Sequence, residues 1–270
     1  MDLIQVNQEQ CLRCGLCADV CPARVITMGD QGPQAVGENC IACGHCVAVC
    51  PEAALDNRKA PLSQQLPLEK APVLDAETAA LFLRSRRSIR CYKQDVVPRE
   101  KILQLLDIAR LAPTGSNSQG VAFHVIDNGE TLRQITALVI HWMEEQIQKG
   151  SPWGPYYSKT VASYRQNGED VILRGAPCLI VALTAKNFMP RGRDNSHFSL
   201  AYAELYAPAL GLGTCWAGYF EGCASTGYQP LTDLLGLHPD KVVSGGLMLG
   251  YPKVTYKRLV DRNPLQVTWQ

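Results

Sequence analysis

The chain has 270 residues, of which 46% are hydrophobic and 19% charged, and its formal net charge is +1. A chain of this length can bury a substantial core, and two domains are the natural expectation. The near-neutral charge gives no reason to expect nucleic acid or an anionic membrane as the main partner. No apolar run approaches the length of a membrane span.

Eight of the twelve cysteines lie in the first fifty residues, in two copies of the spacing C-x2-C-x2-C-x3-C-P that start at Cys11 and Cys40. In this run the first three thiolates bind one iron–sulfur cube, and the fourth binds the other cube. The sequence therefore predicts two [4Fe–4S] clusters. The first would be held by Cys11, Cys14, Cys17 and Cys50, and the second by Cys40, Cys43, Cys46 and Cys21.

This segment resembles the bacterial two-cluster ferredoxins, so we expect residues 1–56 to form a ferredoxin-like domain. Structural zinc and a secreted disulfide framework are the alternatives. Zinc leaves the third cysteine and the proline of each run unexplained. Disulfides require an export signal, which Met1–Gln10 does not resemble. We therefore expect a reducing, cytoplasmic location in an organism that tolerates oxygen poorly, an anaerobe.

Residues 57–74 are proline-rich without an apolar period, and we interpret them as a linker to a second domain over residues 75–270. Apolar periodicity there predicts helices that end near Arg86, start near Pro98, and cover about 130–149, 156–173 and 195–210. Short apolar runs predict strands at residues 121–126, 178–183, 214–220 and 242–250. The second domain is therefore predicted to mix α and β structure.

Three segments of this domain carry groups that suit a flavin phosphate and ring. Arg86-Arg87-Ser88-Ile89-Arg90 offers guanidinium forks and a hydroxyl to phosphate oxygens, although a solvated basic helix end is the commoner cause of such a motif when it stands alone. The loop from Pro113 to Gln119 combines glycine with amide side chains. A glycine-flanked stretch, residues 211–222, ends in Glu221-Gly222, whose backbone N–H groups we expect to be exposed.

The order of RRSIR-x-Y, APTGSNSQ, LRGAP, GLGTCW, a Glu-Gly pair and GYPKVTYKR resembles the FMN-dependent nitroreductase family, and specifically its members with an N-terminal two-cluster ferredoxin. The resemblance implies an α+β sandwich around a mostly antiparallel sheet. It also implies an intertwined homodimer that binds FMN at the subunit interface.

The resemblance further implies which residues bind FMN. Arg86, Ser88 and Arg90 would hold the phosphate, with Arg87 alongside and Arg258 completing the site with Lys253 or Lys257. Contacts from the partner subunit would come from Pro113, Thr114, Gly115 and Asn117. The ring would touch the backbone of Tyr219, Phe220, Glu221 and Gly222, where many members have Pro-Ile-Glu-Gly.

Two further features bear on the substrate. Many members have Gln-Pro-Trp where this chain has Gln119-Gly120-Val121, which removes an aromatic side chain near the flavin pocket. Aromatic residues between about 141 and 167 either shape the pocket or pack in the core. His197 is more consistent with a surface or capping role than with a pocket.

The sequence thus predicts an iron–sulfur flavoprotein oxidoreductase. Electrons would pass from a ferredoxin-like or other donor through two [4Fe–4S] clusters to FMN, and then to a small planar nitroaromatic or quinone. No catalytic side chain is predicted. One alternative is an electron-transfer module of a larger redox complex, without its own organic substrate. Another is an NAD(P)H-dependent nitroreductase with auxiliary clusters, since these enzymes admit nicotinamide without a G-x-G-x-x-G motif.

Overall fold

The computed structural model describes residues 2–68 and 73–270, so residues 69–72 of the predicted linker lie outside the described residues. The described chain forms two compact units. The first comprises the residues up to Val73 together with Gly115–Ser118, and the second comprises Leu74–Thr114 and Gln119–Gln270. Within the described residues, no helix has the length and apolar character needed to cross a lipid bilayer.

The first unit consists of two antiparallel strand pairs and two one-turn helices. Strand β1 (Ile4–Val6) pairs with β4 (Leu55–Asn57), and β2 (Ile26–Gly29) pairs with β3 (Gly32–Ala35). Helices α1 (Leu16–Asp19) and α2 (His45–Ala48) follow the second cysteine of each run. Ordered structure continues into the predicted linker, because β4 ends at Asn57 and a 3₁₀ turn covers Leu62–Gln64.

The two cysteine runs have the same backbone conformation. Gly15 and Gly44 precede α1 and α2 with φ of 83° and 72°, in the left-handed region that glycine tolerates. Two other pairs in the same register also have positive φ, namely Arg13 with Ala42 and Arg24 with Ala53. The sequence repeat is therefore also a structural repeat.

The second unit is built on a four-stranded sheet with the order β5-β6-β8-β7, in which all neighbouring strands are antiparallel. These strands are β5 (Ala122–Ile126), β6 (Cys178–Ala185), β7 (Gly213–Trp216) and β8 (Lys241–Gly250). Helices cover both faces, so β6 is buried along nearly its whole length. The predicted α+β architecture with a mostly antiparallel sheet is confirmed.

Seven helices accompany this sheet: α3 (Ala76–Ser85), α4 (Arg99–Ala109), α5 (Gly129–Gln148), α6 (Gly154–Asn167), α7 (Arg191–Tyr206), α8 (Gly218–Ser225) and α9 (Gln229–Leu235). Two apolar clusters fill the space on the two sides of the sheet. One contains the buried faces of α5, α8 and α9, and the other contains those of α4 and α7. Asp75 caps α3 by accepting a hydrogen bond from the Thr78 N–H at 2.8 Å.

Three element predictions are corrected by the structure. Helix α6 ends at Asn167 rather than near residue 173, because Gly168 takes the left-handed C-cap conformation. Helix α7 starts at Arg191 rather than near residue 195, so Asn195 and Ser196 are buried inside the helix and do not begin it. The strand predicted over residues 214–220 ends at Trp216, and Tyr219 and Phe220 belong to α8.

Candidate functional site

The first unit gathers the eight repeat cysteines around two cavities. One cavity is lined by Cys11, Cys14, Cys17 and Cys50, and the other by Cys21, Cys40, Cys43 and Cys46. Each fourth cysteine thus lies with the first three of the other run, as the spacing predicts. No three His, Cys, Asp or Glu side chains in the described chain converge closely enough for a single metal ion. Four sulfurs around an open space suit a multi-iron cluster.

The third cysteine of each run, Cys17 or Cys46, is largely buried. Burial raises the pKa of the Cys17 and Cys46 thiols above the usual value, while backbone N–H donors at Ala18 and Val47 act in the opposite direction. The positive charge of bound iron favours the thiolate form of such residues. The donor set therefore fits two cysteine-held clusters.

The second unit contains a cavity of about 350 Å³ beside β7 and α6. Its wall combines two arginines, Arg90 and Arg174, with the aromatic residues Trp153, Tyr156, Tyr157, Trp216 and Tyr219. Neither arginine forms an ion pair with any described carboxylate. Cationic and aromatic groups together suit a planar ligand that carries negative charge.

The segment after α3 reaches this cavity along the edge of the sheet. The Ile89 N–H donates to the Thr214 carbonyl at 2.7 Å, and Ser88 forms an isolated bridge with Thr214. The side chain of Ile89 is buried, whereas Arg90 lines the cavity. Burial raises the pKa of the Cys215 thiol in the same wall, and the positive charges of Arg90 and Arg174 oppose that rise.

Arg86 and Arg87 have partners within the second unit. A guanidinium nitrogen of Arg86 donates to Glu204 Oε1 at 3.0 Å, and the indole Nε1 of Trp216 donates to Glu204 Oε2 at 3.1 Å. Arg87 lies 4.9 Å above the centre of the Tyr256 ring. Of the three arginines in the motif, Arg90 is the one that lines the cavity.

Helix α8 places the predicted ring-binding residues in different environments. Gly218 and Tyr219, in its first turn, line the cavity, whereas Phe220 is fully buried. The Glu221 N–H donates to the Ala217 carbonyl at 2.9 Å, so the expectation that it is exposed is wrong. The reason is that the helix starts at Gly218, so Glu221 is the first residue whose N–H finds an acceptor inside the helix, whereas the N–H groups of Gly218 and Tyr219 do not.

The Glu221 side chain points into the protein. Its Oε1 accepts a hydrogen bond from the Gly246 N–H at 2.8 Å, and its Oε2 lies 3.6 Å from His197 Nε2. Burial raises the pKa of this carboxyl, while the Gly246 N–H, His197 and Arg193 counteract part of that rise. The His197 ring packs edge-on against Trp216, with a centroid distance of 4.9 Å. His197 is therefore a half-buried member of the second unit rather than a capping residue.

The remaining predicted residues lie outside the cavity wall. Pro113 is exposed, and the Thr114 hydroxyl accepts from the Gln119 N–H at 3.1 Å. Gly115 and Asn117 belong to the first unit, where the Asn117 amide donates to the carbonyls of Ile41 and Ala42 at 2.9 and 3.0 Å.

The C-terminal candidates are exposed side chains. The Lys253 N–H donates to the Cys91 carbonyl at 2.9 Å, which ties this part of the chain to the segment that follows Arg90. Lys257 and Arg258 lie further along the same segment, and Gly222 lies inside α8.

Sequence reasoning missed Arg174. It lies in the LRGAP segment before β6 and has a positive φ of 56°, which is uncommon outside glycine. The aromatic residues of the region before β6 are divided between the two predicted roles. Trp153 and Tyr156 are exposed at the cavity, whereas Tyr157 also packs against Trp142 with a centroid distance of 5.5 Å.

Comparison with known proteins matches each of the two units to a known family or domain. Residues 83–251 match the nitroreductase family, and residues 3–51 match a 4Fe-4S dicluster domain. The chain is 40% identical to a 4-nitrobenzoate reductase of Pseudomonas putida over 191 residues, which cover 62% of this chain and 82% of the relative.

Solved structures support the fold. A nitroreductase with bound FMN from Bacteroides fragilis aligns with a TM-score of 0.57 and 17% identity, over 70% of this chain and 98% of that chain. A nitroreductase with bound FMN from Desulfitobacterium hafniense aligns with a TM-score of 0.58 and 20% identity, over 72% and 100%. The chain therefore belongs to the nitroreductase family, as an FMN-dependent oxidoreductase with an N-terminal two-cluster [4Fe–4S] domain.

Proposed function

We propose that this protein passes electrons from a ferredoxin-like or other donor through its two [4Fe–4S] clusters to FMN and on to a small planar acceptor of the nitroaromatic or quinone type. The observation that carries the proposal is the presence of two four-cysteine cavities and a cationic, aromatic-lined cavity on one chain. Clusters exchange single electrons, and bound FMN supplies the two-electron chemistry that organic acceptors require.

The residues of the second unit would act by binding and orientation. Arg90 and Ser88 would bind the anionic end of FMN, and Arg174 would add a second guanidinium. The first turn of α8 at Gly218 and Tyr219 would direct backbone N–H donors at the ring. Arg86 would position this segment through Glu204 rather than bind phosphate itself.

The proposed assembly is a homodimer in the cytoplasm. Exposed apolar side chains on α3, at Leu81, Phe82 and Leu83, and on the C-terminal segment, at Leu265 and Trp269, support it, because exposed apolar groups of this kind usually contact another surface. Pro113, Thr114, Gly115 and Asn117 would then act on the partner's FMN, and Lys253 and Arg258 would complete the phosphate site. The domain limits of 1–56 and 75–270 remain part of this proposal.

The acceptor class is supported by the exposed rings at the cavity. Trp153 and Tyr156 are 64% and 58% exposed, so they are available to stack on a planar acceptor. The 40% identical relative is named as a 4-nitrobenzoate reductase. Reduction of a nitro group to a nitroso group consumes two electrons and two protons, and the oxygen that is removed leaves as water.

Anaerobic stopped-flow reduction tests the electron path. Cys14→Ser removes a ligand of the first cavity, and Cys91→Ser is the matched control because Cys91 is exposed and outside both ligand sets. With reduced ferredoxin as donor, we expect Cys14→Ser to slow reduction of bound FMN at least about tenfold, because a cluster on the path is lost or perturbed; tenfold corresponds to about 1.4 kcal/mol in the activation barrier. The Cys91→Ser variant should match the wild type.

The same experiment separates the alternatives. Reduction of FMN by NADH or NADPH at equal rates in the wild type and the Cys14→Ser variant would favour the nicotinamide-dependent reductase. Bound FMN that, once reduced, is not reoxidised by any nitroaromatic or quinone but is reoxidised by a redox protein would favour the electron-transfer module. Either result contradicts the proposed path.

A further inference from the structure

A buried amide group lies against the ligands of the second cysteine cavity. Asn57, the last residue of β4, is 2% exposed and lines the cavity of Cys21, Cys40, Cys43 and Cys46. Its Nδ2 lies 3.5 Å from the Cys46 sulfur and 3.8 Å from the Cys40 sulfur. Both distances fit N–H donation to sulfur, which is longer than donation to oxygen because the sulfur atom is larger.

The orientation of this amide follows from its other contact. Asn57 Oδ1 accepts a hydrogen bond from the Lys59 N–H at 2.9 Å. A backbone N–H can only donate, so the oxygen must face Lys59 and the nitrogen must face the sulfurs. The amide is therefore a fixed donor directed at two cysteines that belong to the same predicted cluster.

Among the described side chains of the other half of the repeat, none donates a hydrogen bond to a cysteine sulfur in the same way. The residue 29 positions before Asn57 is Met28, which lines the first cavity with Cys11, Cys14, Cys17 and Cys50. A thioether has no hydrogen to donate. In the first cavity, a backbone group donates instead: the Ala54 N–H lies 3.2 Å from the Cys50 sulfur. The two clusters thus differ in the kind and number of sulfur contacts.

We infer that Asn57 sets the reduction potential of the second cluster, by donating to the sulfurs of Cys40 and Cys46. When an electron-transfer partner gives one electron to a [4Fe–4S] cluster, the partner is oxidised and the cluster gains one negative charge. A hydrogen-bond donor at the sulfurs stabilises that added charge and so raises the potential. This inference rests on the proposed function only in requiring that both clusters are bound.

The test removes the amide of Asn57 and compares the effect with that of a substitution at the equivalent position of the other half of the repeat. Asn57→Leu removes the donor, and Met28→Leu changes the corresponding residue of the first cavity without changing its hydrogen bonds. Potentials of both clusters in the full-length holoprotein are measured by redox titration with electron paramagnetic resonance. We expect Asn57→Leu to lower one midpoint potential only, and Met28→Leu to leave both unchanged. A tenfold shift in the reduction equilibrium corresponds to about 59 mV for a one-electron couple.

Two further variants sharpen the result. Asn57→Asp keeps the acceptor for the Lys59 N–H but replaces the donor with a carboxylate, so it should lower the same midpoint at least as far as Asn57→Leu. Met28→Asn introduces an amide at the equivalent position and should raise the midpoint of the other cluster. Unchanged midpoints in both Asn57 variants, or an equal shift of both clusters, would overturn the inference.

A measurement on the wild type covers the case in which the variants lose their iron. Pulsed electron paramagnetic resonance of the reduced protein in D₂O should detect an exchangeable deuteron coupled to the second cluster, together with a coupled ¹⁵N nucleus when asparagine is labelled. Absence of the asparagine coupling overturns the inference. A wild-type protein that contains no iron or sulfide would instead refute the proposed function, so the two failures are distinguishable.

Discussion

Two arginines, Arg90 and Arg174, line the cavity of the second unit, and neither forms an ion pair with a described carboxylate. Two positive charges on one cavity wall repel each other, and an anion that binds between them relieves this repulsion. The cavity is therefore suited to an anionic ligand before any ligand has bound.

Arg174→Gln tests this reading at the level of one residue. We expect the variant to bind FMN about 10–100-fold more weakly, because a charge-assisted hydrogen bond contributes about 1.5–3 kcal/mol. Fluorescence titration of the flavin-free protein with FMN measures the change. Arg191→Gln is the control, since Arg191 lies near the Phe188 ring and is not part of the cavity wall. Equal FMN affinity in both variants would contradict the assignment of Arg174.

The buried carboxyl of Glu221 should make the stability of the protein depend on pH. Burial raises its folded-state pKa above the ordinary value of 4.5, so the folded protein binds the proton more tightly than the unfolded chain. Its contribution to stability is therefore complete below pH 4.5 and is lost as the pH rises through the raised pKa. We expect the free energy of unfolding of the wild type, minus that of Glu221→Gln, to fall as the pH increases across this window.

Denaturant titrations at several pH values provide the measurement. The control is Glu130→Gln, because hydrogen bonding to Arg133 lowers the pKa of that exposed carboxyl, so any effect has the opposite pH trend. A difference between wild type and Glu221→Gln that is independent of pH would show that burial of this carboxyl does not influence its titration.

At the scale of elements, two adjacent glycines let helices pack on both faces of β8. A Cβ added at Gly245 would lie 2.7 Å from the side chain of Leu200 in α7, and one added at Gly246 would lie 2.8 Å from the side chain of Phe220 in α8. A larger residue does not fit at either position, because Leu200 and Phe220 are fully buried and close-packed. The sheet therefore fixes the position of α8, whose first turn lines the cavity.

The two glycines should respond differently to substitution. We expect Gly245→Ala and Gly246→Ala each to lower the free energy of unfolding by about 1–3 kcal/mol through overpacking. Only Gly246→Ala should also weaken FMN binding, because it displaces Phe220 and with it the start of α8. Unfolding in urea and FMN titration measure the two effects. Partial restoration of FMN affinity in Gly246→Ala/Phe220→Leu would support this cause, whereas equal FMN affinity in the two single variants would contradict it.

The sequence predicts the cysteine ligands better than it predicts the wall of the cavity in the second unit. The cysteine ligands follow a local spacing rule, so both sets are brought together as expected. The wall of the cavity draws on Arg90, Tyr156, Arg174 and Tyr219, which are distant in sequence, and Arg174 was not identified. The apolar run after Thr214 favours a strand, yet Phe220 and Cys223 are buried on one face of α8 at helical spacing.

At the scale of the whole molecule, the two four-cysteine cavities lie in the first compact unit and the cavity of Arg90 and Arg174 lies in the second. The first unit has a small apolar cluster that includes several of the cysteines themselves, so much of its stability must come from bound iron. The second unit has two larger apolar clusters that contain none of the repeat cysteines.

Iron removal should therefore act on one unit. We expect chelation of iron under anaerobic conditions to unfold the first unit and to weaken FMN binding only by the contacts proposed for Gly115 and Asn117, so that most FMN stays bound to the second unit. Circular dichroism follows the loss of structure, and gel filtration with flavin absorbance follows FMN. A mock-treated sample without chelator is the control. Release of FMN in parallel with iron would show that the second unit does not hold its cofactor independently.

The exchanged fourth ligands make the two cysteine runs mutually dependent. Cys50 lies with the cysteines of the first run, and Cys21 lies with those of the second. A peptide that ends between the runs would hold three ligands of one cluster and a single ligand of the other, so it could not complete either. A single chain can therefore complete its two clusters only after both halves of the repeat have been synthesised.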